Sequence, residues 1–268
     1  VKYDLDSTTG ELSNKVTNTD ALANGATDIV VSPDGNHIYT LQPQAYNQWG
    51  LWIGGVIRWT RDASTGVLSN PNNYWSNHQV TESWNQFTTD HFCLQDPYSM
   101  AISPDGKNIY VVTGYSGVPC ITTIDRSTSD GVLSNFRGIF SYNFMTSRKI
   151  IVSPDNKYVY TSGGEDSSFS QPAQVGYKGI FMLPRSTSTG TLSFTSTQNV
   201  ARVEWSPAPY VMDMTTDHLY AFRSTDETIV TYSVGSSGLL TSASTFTDAT
   251  NLGGAVNDLR VLPQHVLL

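Results

Sequence analysis

Aromatic side chains are concentrated in and beside the long connecting segments of this chain. The residues concerned are Tyr46, Trp49, Trp52, Trp75, Trp84 and Tyr115. Sugars stack on exposed aromatic faces, while neighbouring Asn, Asp and Gln side chains bind the sugar hydroxyls. The pattern therefore indicates a carbohydrate-binding, lectin-like surface. In the alternative interpretation, the same side chains pack the long segments into a lid and bind no ligand.

The sequence holds two cysteines, Cys93 and Cys120. Two cysteines alone cannot build a structural zinc site, and we expect neither a metal nor a cofactor. In a secreted protein the pair could form a disulfide, whereas in the cytosol both would remain thiols. Because the two residues flank one repeated hairpin, a bond between them would brace the long segment that precedes it.

A repeated hairpin must position these side chains. In each clear copy, an apolar run is followed by Ser-Pro-Asp-Gly or Ser-Pro-Asp-Asn and then by a β-rich run that ends in Tyr. The clear copies occupy residues 29–39, 100–110 and 150–160, and weaker copies occupy 211–220 and 259–267. Proline fixes its own φ, and Asp, Asn and Gly suit turn positions, so each copy predicts two antiparallel strands.

A second hairpin alternates with the first. Its turn is a short Ser- and Thr-rich segment that reaches Gly just before Leu, with Ser-Thr-x-Gly-x-Leu at residues 7–12 as the type. The copies occupy residues 6–12, 62–68, 127–133, 186–192 and 235–239. The two units alternate five times at a spacing of 50 to 70 residues, and no segment shows a sustained helical period. Four-stranded antiparallel units at this spacing predict an all-β propeller, because a β-sandwich would not explain two regularly alternating turns.

The phase of the repeats predicts how the ends meet. The chain opens with a hairpin of the second type and closes with one of the first type. We therefore expect residues 1–268 to form one propeller domain whose two terminal hairpins complete a composite blade. The alternative is that the five units belong to a larger ring.

Composition excludes several classes of protein. The formal charge is −8, and charged residues make up 14% of the chain. Scattered basic residues and a negative charge argue against nucleic-acid binding, and no apolar run is long enough to suggest a membrane helix. A low charge content with many polar β-formers is typical of secreted proteins, so we expect an extracellular location, with a cytoplasmic one as the alternative. The sequence does not indicate an oligomeric state.

The two repeat motifs resemble those of the lactonase-type propellers. That group includes bacterial 6-phosphogluconolactonase-like proteins and the fungal 3-carboxy-cis,cis-muconate lactonizing enzymes, or carboxymuconate cyclases. The fungal branch is the closer match, with a long segment after the first hairpin that begins here at Gln42. The resemblance implies a propeller, seven-bladed in the family, that acts on a small carboxylated molecule by metal-independent cycloisomerisation or lactone chemistry.

The resemblance also implies catalytic residues. An arginine before a first strand matches Arg148, a glutamate after the following strand matches Glu165, and a second arginine after a later strand matches Arg223. The arginines would bind carboxylates, and Glu165 would transfer a proton. The family's histidine is absent from residues 96–99, and His91, a few residues upstream, is the candidate to replace it. The alternative is that the arginines form structural ion pairs.

The remaining polar residues of the repeats have structural explanations. We expect the Ser-Pro-Asp aspartates to act as turn residues, and the two turn histidines to be exposed. The residues concerned are Asp34, Asp105, Asp155, His37 and His218. Trp59 lies in an apolar strand and is expected in the core.

Overall fold

The computed structural model describes most of the chain outside its long connections. The described residues are 2–6, 8–17, 25–46, 52–75, 94, 97–113, 120–140, 147–163, 178–193, 198–203, 211–223, 227–247, 259 and 261. These residues contain strands and turns and no helix. In this part of the chain there is accordingly no helix long and apolar enough to cross a membrane.

Within the described residues, four sheets of four antiparallel strands follow one another. Blade 1 consists of β3 (Asp28–Val31), β4 (His37–Tyr46), β5 (Trp52–Arg61) and β6 (Leu68–Trp75). Blade 2 consists of β7 (Pro97–Ile102), β8 (Asn108–Thr113), β9 (Cys120–Arg126) and β10 (Leu133–Phe140). Blade 3 consists of β11 (Ile150–Val152), β12 (Tyr158–Gly163), β13 (Lys178–Pro184) and β14 (Gln198–Val203). Blade 4 consists of β15 (Val211–Met214), β16 (His218–Arg223), β17 (Thr228–Val234) and β18 (Leu240–Thr247).

Strand order within every blade follows chain order, each strand pairing with the next. This all-β arrangement of sequential four-stranded antiparallel blades confirms the predicted propeller architecture. A fifth hairpin, formed by β1 (Lys2–Leu5) and β2 (Leu12–Val16), is a separate two-stranded sheet.

The Ser-Pro-Asp-Gly turn closes the first hairpin of a blade through its serine and aspartate. In blade 1 the Ser32 hydroxyl donates to Asp34 Oδ1 at 2.5 Å and accepts from the His37 amide at 3.0 Å. Gly35 adopts a φ of +71°, which glycine reaches without a Cβ penalty. Ser103 and Ser153 repeat both bonds in blades 2 and 3, confirming the aspartates as turn residues.

In the part of the chain that the structure describes, three apolar cores lie between successive blades. Alternate residues of one strand face opposite neighbours, so in β8 Val111 packs towards blade 1 and Val112 towards blade 3. Each blade therefore contributes one face to each adjoining core, and a third core joins blades 3 and 4 around Tyr160 and Met212. Trp59 is 1% exposed, as predicted, and its indole N–H donates to Thr40 Oγ1.

The chain after Gln42 differs from the predicted long loop. Strand β4 continues to Tyr46 and β5 begins at Trp52, and these two residues pair across the sheet. A register shift between Gln42 and Ala45 accommodates Pro43, which has no amide hydrogen to donate to a ladder. The backbones of Tyr46 and Trp52 consequently form part of these two strands.

The composite blade stays a prediction. Val261 N–H donates to Asp213 Oδ2 at 2.7 Å, so the chain after blade 4 returns to the first strand of that blade. Leu12 of the β1–β2 hairpin is 64% exposed, whereas the equivalent Leu133 and Leu192 are buried between blades. Most of residues 248–268 lie outside the described part of the chain.

Candidate anion-binding site on the loop face

Each blade has two ends with different chemistry. The Ser-Pro-Asp-Gly turns and the Ser-Thr-x-Gly turns lie at one end, called here the turn face. The opposite end, at which the first strand begins and the second strand ends, is called the loop face. The antiparallel pairing of β11 with β12, in which Ile150 lies opposite Thr161, puts Arg148 and the end of β12 on the loop face.

A buried arginine joins blades 1 and 2 on the turn face. Arg126 Nε donates to Tyr39 Oη at 2.7 Å, Nη1 donates to the Gly106 carbonyl at 2.9 Å, and Nη2 donates to Asp34 Oδ2 at 3.0 Å. The Tyr39 hydroxyl in turn donates to the Gly131 carbonyl at 2.7 Å. Arg126 thus links turns of two blades, and its side chain is 1% exposed.

Blades 2 and 3 repeat this arrangement, and blades 3 and 4 keep half of it. Arg185 Nε donates to Tyr110 Oη at 2.6 Å, and Nη2 reaches Asp105. At the next interface Tyr160 donates to the Gly238 carbonyl at 2.7 Å, while Val234 occupies the place of the arginine. The sequence prediction missed these arginines, although an arginine directly before the second turn in three repeats is a visible signal.

Ionisation of the turn-face groups follows from these contacts. Burial alone would raise the pKa of Asp34, but hydrogen bonds from Ser32 and the Asn36 amide, together with the Arg126 guanidinium, hold that pKa at about 2. Burial raises the pKa of Tyr110 to about 12. These two groups therefore act as a fixed anion and a fixed hydroxyl at neutral pH.

His37 was predicted to be exposed, and that prediction was wrong. The residue is 7% exposed, because its ring packs into the blade 1–blade 2 interface beside Arg126. Burial, and then the Arg126 charge, lower the pKa of His37 below its ordinary value of 6.5. Neutral His37 can accept the Arg126 Nη2–H at 3.2 Å. His218, at the equivalent place in blade 4, has a side chain 37% exposed.

A cavity of about 730 Å³ also lies on the turn face, between blades 2 and 3. Its lining includes Lys107, Arg137 and the hydroxyls of Ser188 and Thr189. Arg137 donates two hydrogen bonds to the Asp125 carboxylate, at 2.9 and 2.5 Å, which balances the positive charge of this lining residue. The cavity is at the opposite end of the blades from Arg148 and contains none of the predicted site residues.

The loop face brings together two residues from different blades. The Arg148 guanidinium carbon lies 3.7 Å from the ring centre of Tyr98. Tyr98 belongs to β7 of blade 2, and Arg148 comes directly before β11 of blade 3. A cation within about 6 Å of an aromatic face is attracted by the ring electrons. Tyr98 also lies within residues 96–99, the stretch in which the family resemblance implies a histidine.

Buried polar residues adjoin Arg148 in the chain or bind its backbone. Lys149 is 9% exposed, and Ser147 and Ser162 are fully buried. The Ser162 hydroxyl accepts the amides of Arg148 and Lys149 at 3.3 and 3.2 Å, which fixes the backbone where β11 begins. Within the described part of the chain, the Ser147 hydroxyl makes no hydrogen bond. The guanidinium of Arg148 and the ammonium of Lys149 are the kinds of group that bind anions in proteins.

Several predicted site residues cannot be assessed at side-chain level. Arg223 is the last residue of β16, so its backbone lies on the loop face of blade 4, but its side chain lies outside the described part. Tyr46 and Trp52 are described as backbone alone. Five other residues lie outside the described residues altogether: Trp49, Trp84, His91, Tyr115 and Glu165. Their roles, and carbohydrate binding, stay predictions.

Cys120 is disulfide-bonded and fully buried at the start of β9. The sequence contains one other cysteine, Cys93, which lies outside the described residues. The sequence alone did not decide whether a disulfide forms, and the structure shows one at Cys120. Among the described residues, no group of three or more His, Cys, Asp or Glu side chains could hold a metal ion.

No family model matches this sequence, and no curated protein is similar to it. Solved structures match its fold. A protein described as a candidate 6-phosphogluconolactonase from Bacteroides uniformis aligns with a TM-score of 0.58 at 20% identity. The alignment covers 91% of this chain and 64% of that protein, so the chain spans less than two thirds of its length. The likeness concerns the fold, which in this chain is an all-β propeller.

Two further structures are similar at lower scores. The periplasmic gluconolactonase PpgL of Pseudomonas aeruginosa aligns with a TM-score of 0.49 at 15% identity, over 91% of this chain and 78% of that one. The β-propeller domain of Cps50 (Swd1) from Myceliophteria thermophila aligns with a TM-score of 0.41 at 11% identity, over 85% and 74% of the two chains. At these identities the likeness concerns the fold, and function has to be argued from the site.

Proposed function

We propose that this protein is a lactonase-like propeller enzyme that binds a small carboxylated substrate on the loop face and cycloisomerises it without a metal. The observation that carries the proposal is the Arg148 guanidinium stacked on Tyr98, beside buried Lys149. An arginine presents its N–H groups in a fixed plane, which matches the two oxygens of a carboxylate. A solved structure that shares the fold, the candidate 6-phosphogluconolactonase from Bacteroides uniformis, adds support by analogy.

The proposed reaction resembles that of the carboxymuconate cyclases. One carboxylate oxygen of the substrate adds to a carbon of a conjugated double bond, and this forms the ring C–O bond. The electron pair of the double bond moves to the neighbouring carbon, where it takes a proton and forms a C–H bond. Arg148 holds the substrate carboxylate and stabilises the charge that develops during addition. In the proposal Glu165 supplies the proton, and Arg223 binds a second carboxylate.

We also propose that the protein works outside the cell. The disulfide at Cys120 supports this location, because disulfides persist in oxidising compartments and are rare in the cytosol.

The proposal is tested by following ultraviolet absorbance of 3-carboxy-cis,cis-muconate, whose conjugation is lost on lactonization. We expect Arg148→Ala to lower kcat/KM at least about a hundredfold, the effect typical of removing one charge-stabilising donor. The matched control is Lys157→Ala, which removes an exposed turn-face cation paired with Asp155. Turnover that survives Arg148→Ala would show that the site is wrong, and a wild type without turnover would show that the reaction is wrong.

A further inference from the structure

Tyr98 meets Arg148 across the boundary between blades 2 and 3. At 3.7 Å from the ring centre, the guanidinium carbon lies at stacking distance rather than at the edge of the ring. The two residues are brought together by the core between these blades, in which Ala101 of β7 packs with Ile150 of β11. The packing of blades 2 and 3 therefore creates this contact, which the sequence around Arg148 alone does not predict.

A stacked guanidinium has lost one of its two open faces. The ring covers that face and limits rotation of the group, while the N–H donors stay in the guanidinium plane. Paired hydrogen bonds to two carboxylate oxygens lie in the same plane as the donors, so the ring does not cover the direction that such bonds need. Lys149 is different, because an ammonium is a point charge without a preferred plane.

The backbone on the Arg148 side is fixed as well. The Ser162 hydroxyl accepts the Arg148 amide, and the Lys149 carbonyl accepts the Ser162 amide at 3.1 Å. With its main chain held by Ser162 and its side chain held by Tyr98, the Arg148 group is organised before a ligand arrives. Such preorganisation increases affinity because less side-chain freedom is lost on binding.

We propose that Tyr98 is a positioning residue that holds the Arg148 guanidinium in one plane and thereby makes this position selective for planar carboxylates. The proposal rests on the proposed function for the identity of the natural substrate, but it does not depend on that substrate for its test. The aromatic face carries the effect, so phenylalanine should replace Tyr98 and an aliphatic side chain should not.

The first test is NMR of the arginine side chains, with the Arg148 signals assigned through their loss in Arg148→Lys. In the wild type and in Tyr98→Phe, we expect Arg148 signals displaced by the aromatic ring. In Tyr98→Leu that displacement should vanish. Tyr74→Leu is the matched control, since Tyr74 is also partly buried but packs between blades 1 and 2. Unchanged Arg148 signals in Tyr98→Leu would overturn the positioning role.

The second test is titration with formate and with cis,cis-muconate, followed through the same Arg148 signals. We expect Tyr98→Leu to bind both carboxylates about tenfold more weakly than Tyr98→Phe, in the range of a partly desolvated cation–π contact. Chloride, a spherical anion, should bind the two variants equally. Equal carboxylate affinities in the two variants, or a loss in Tyr98→Phe as large as in Tyr98→Leu, would overturn the proposal.

The two carboxylates separate this inference from the proposed function. Formate binding that depends on the Tyr98 ring, without muconate binding, supports the positioning role and overturns the proposed substrate class. Failure of the wild type to bind either molecule overturns both. Thermal unfolding of each variant, compared with that of Tyr98→Phe, shows whether a weaker titration reflects loss of the fold.

Discussion

Removal of the Arg126 side chain should destabilise the propeller strongly, because this arginine joins turns from two blades. In Arg126→Met, a side chain of similar length replaces a guanidinium that is 1% exposed. The change deletes four hydrogen bonds: to the Tyr39 hydroxyl, to the Gly106 carbonyl, to Asp34 and to the His37 ring. Bonds from a charged donor contribute about 1.5 to 3 kcal/mol each, but such contributions are not additive.

The partners of Arg126 keep some of their other contacts, and this limits the loss. Tyr39 still donates to the Gly131 carbonyl, and Asp34 still accepts from Ser32. The Gly106 carbonyl loses the Arg126 donor. The Asp34 side chain is 32% exposed, so the carboxylate left behind stays hydrated. We therefore expect a loss of about 2 to 4 kcal/mol in the free energy of unfolding, somewhat less than for a fully buried ion pair.

The chain supplies a matched control at the equivalent place in blade 1. Arg61 Nη1 donates to the Gly35 carbonyl at 3.1 Å, the counterpart of the Arg126–Gly106 bond. Arg61→Met should therefore cost about 1 kcal/mol, at the low end for a partly exposed bond. Urea unfolding followed by tryptophan fluorescence measures both variants. Equal losses in Arg61→Met and Arg126→Met would refute the reasoning, because they would show that contacts between blades 1 and 2 are not what Arg126 contributes.

Two further predictions concern the same interface. Because the folded pKa of His37 lies below the ordinary 6.5, the unfolded chain binds this proton more readily, and stability should fall as pH falls through 6.5. Urea titrations at about pH 7.5 and about pH 5.5 should show a smaller pH dependence in His37→Gln, and an equal one would contradict the assignment. Gly131→Ala should be more destabilising than Gly10→Ala, with thermal unfolding as the measurement. Both glycines have positive φ, which costs a side chain about 1 to 2 kcal/mol. A Cβ on Gly131 would also meet the His37 ring at 2.6 Å, whereas one on Gly10 would meet nothing within 4 Å, so the difference should be about 1 to 3 kcal/mol.

The repeats predicted the fold because each turn is specified locally. Ser32, Asp34 and Gly35 lie within one hairpin, and their hydrogen bonds and positive φ follow from residue type. The number of blades was not determined in the same way, because ring closure depends on contacts between distant segments. The pairing of Tyr46 with Trp52 was missed because a β-bulge lets a proline lie within a strand that the composition assigned to a loop.

The candidate site was predicted in part. The resemblance singled out Arg148, but the residue that stacks on it, Tyr98, belongs to another blade and carries no motif. Likewise the turn aspartates Asp34 and Asp105 were explained by their own hairpins, while their arginine partners lie one blade further along the chain. In both cases the missing information is which strands pack face to face, and a single repeat does not contain it.

The two faces of the blades separate stability from chemistry. On the turn face, the charges of Arg126 and Asp34 satisfy one another, so a ligand would have to break an existing ion pair to bind there. On the loop face, Arg148 and Lys149 are adjacent cations, and Tyr98 organises the first of them by stacking, which leaves its charge in place. Substitutions on the turn face should therefore change the unfolding free energy more than ligand affinity, and substitutions at Tyr98 or Arg148 should do the reverse. A cation–π contact orders a guanidinium without neutralising its charge, whereas a carboxylate partner does both.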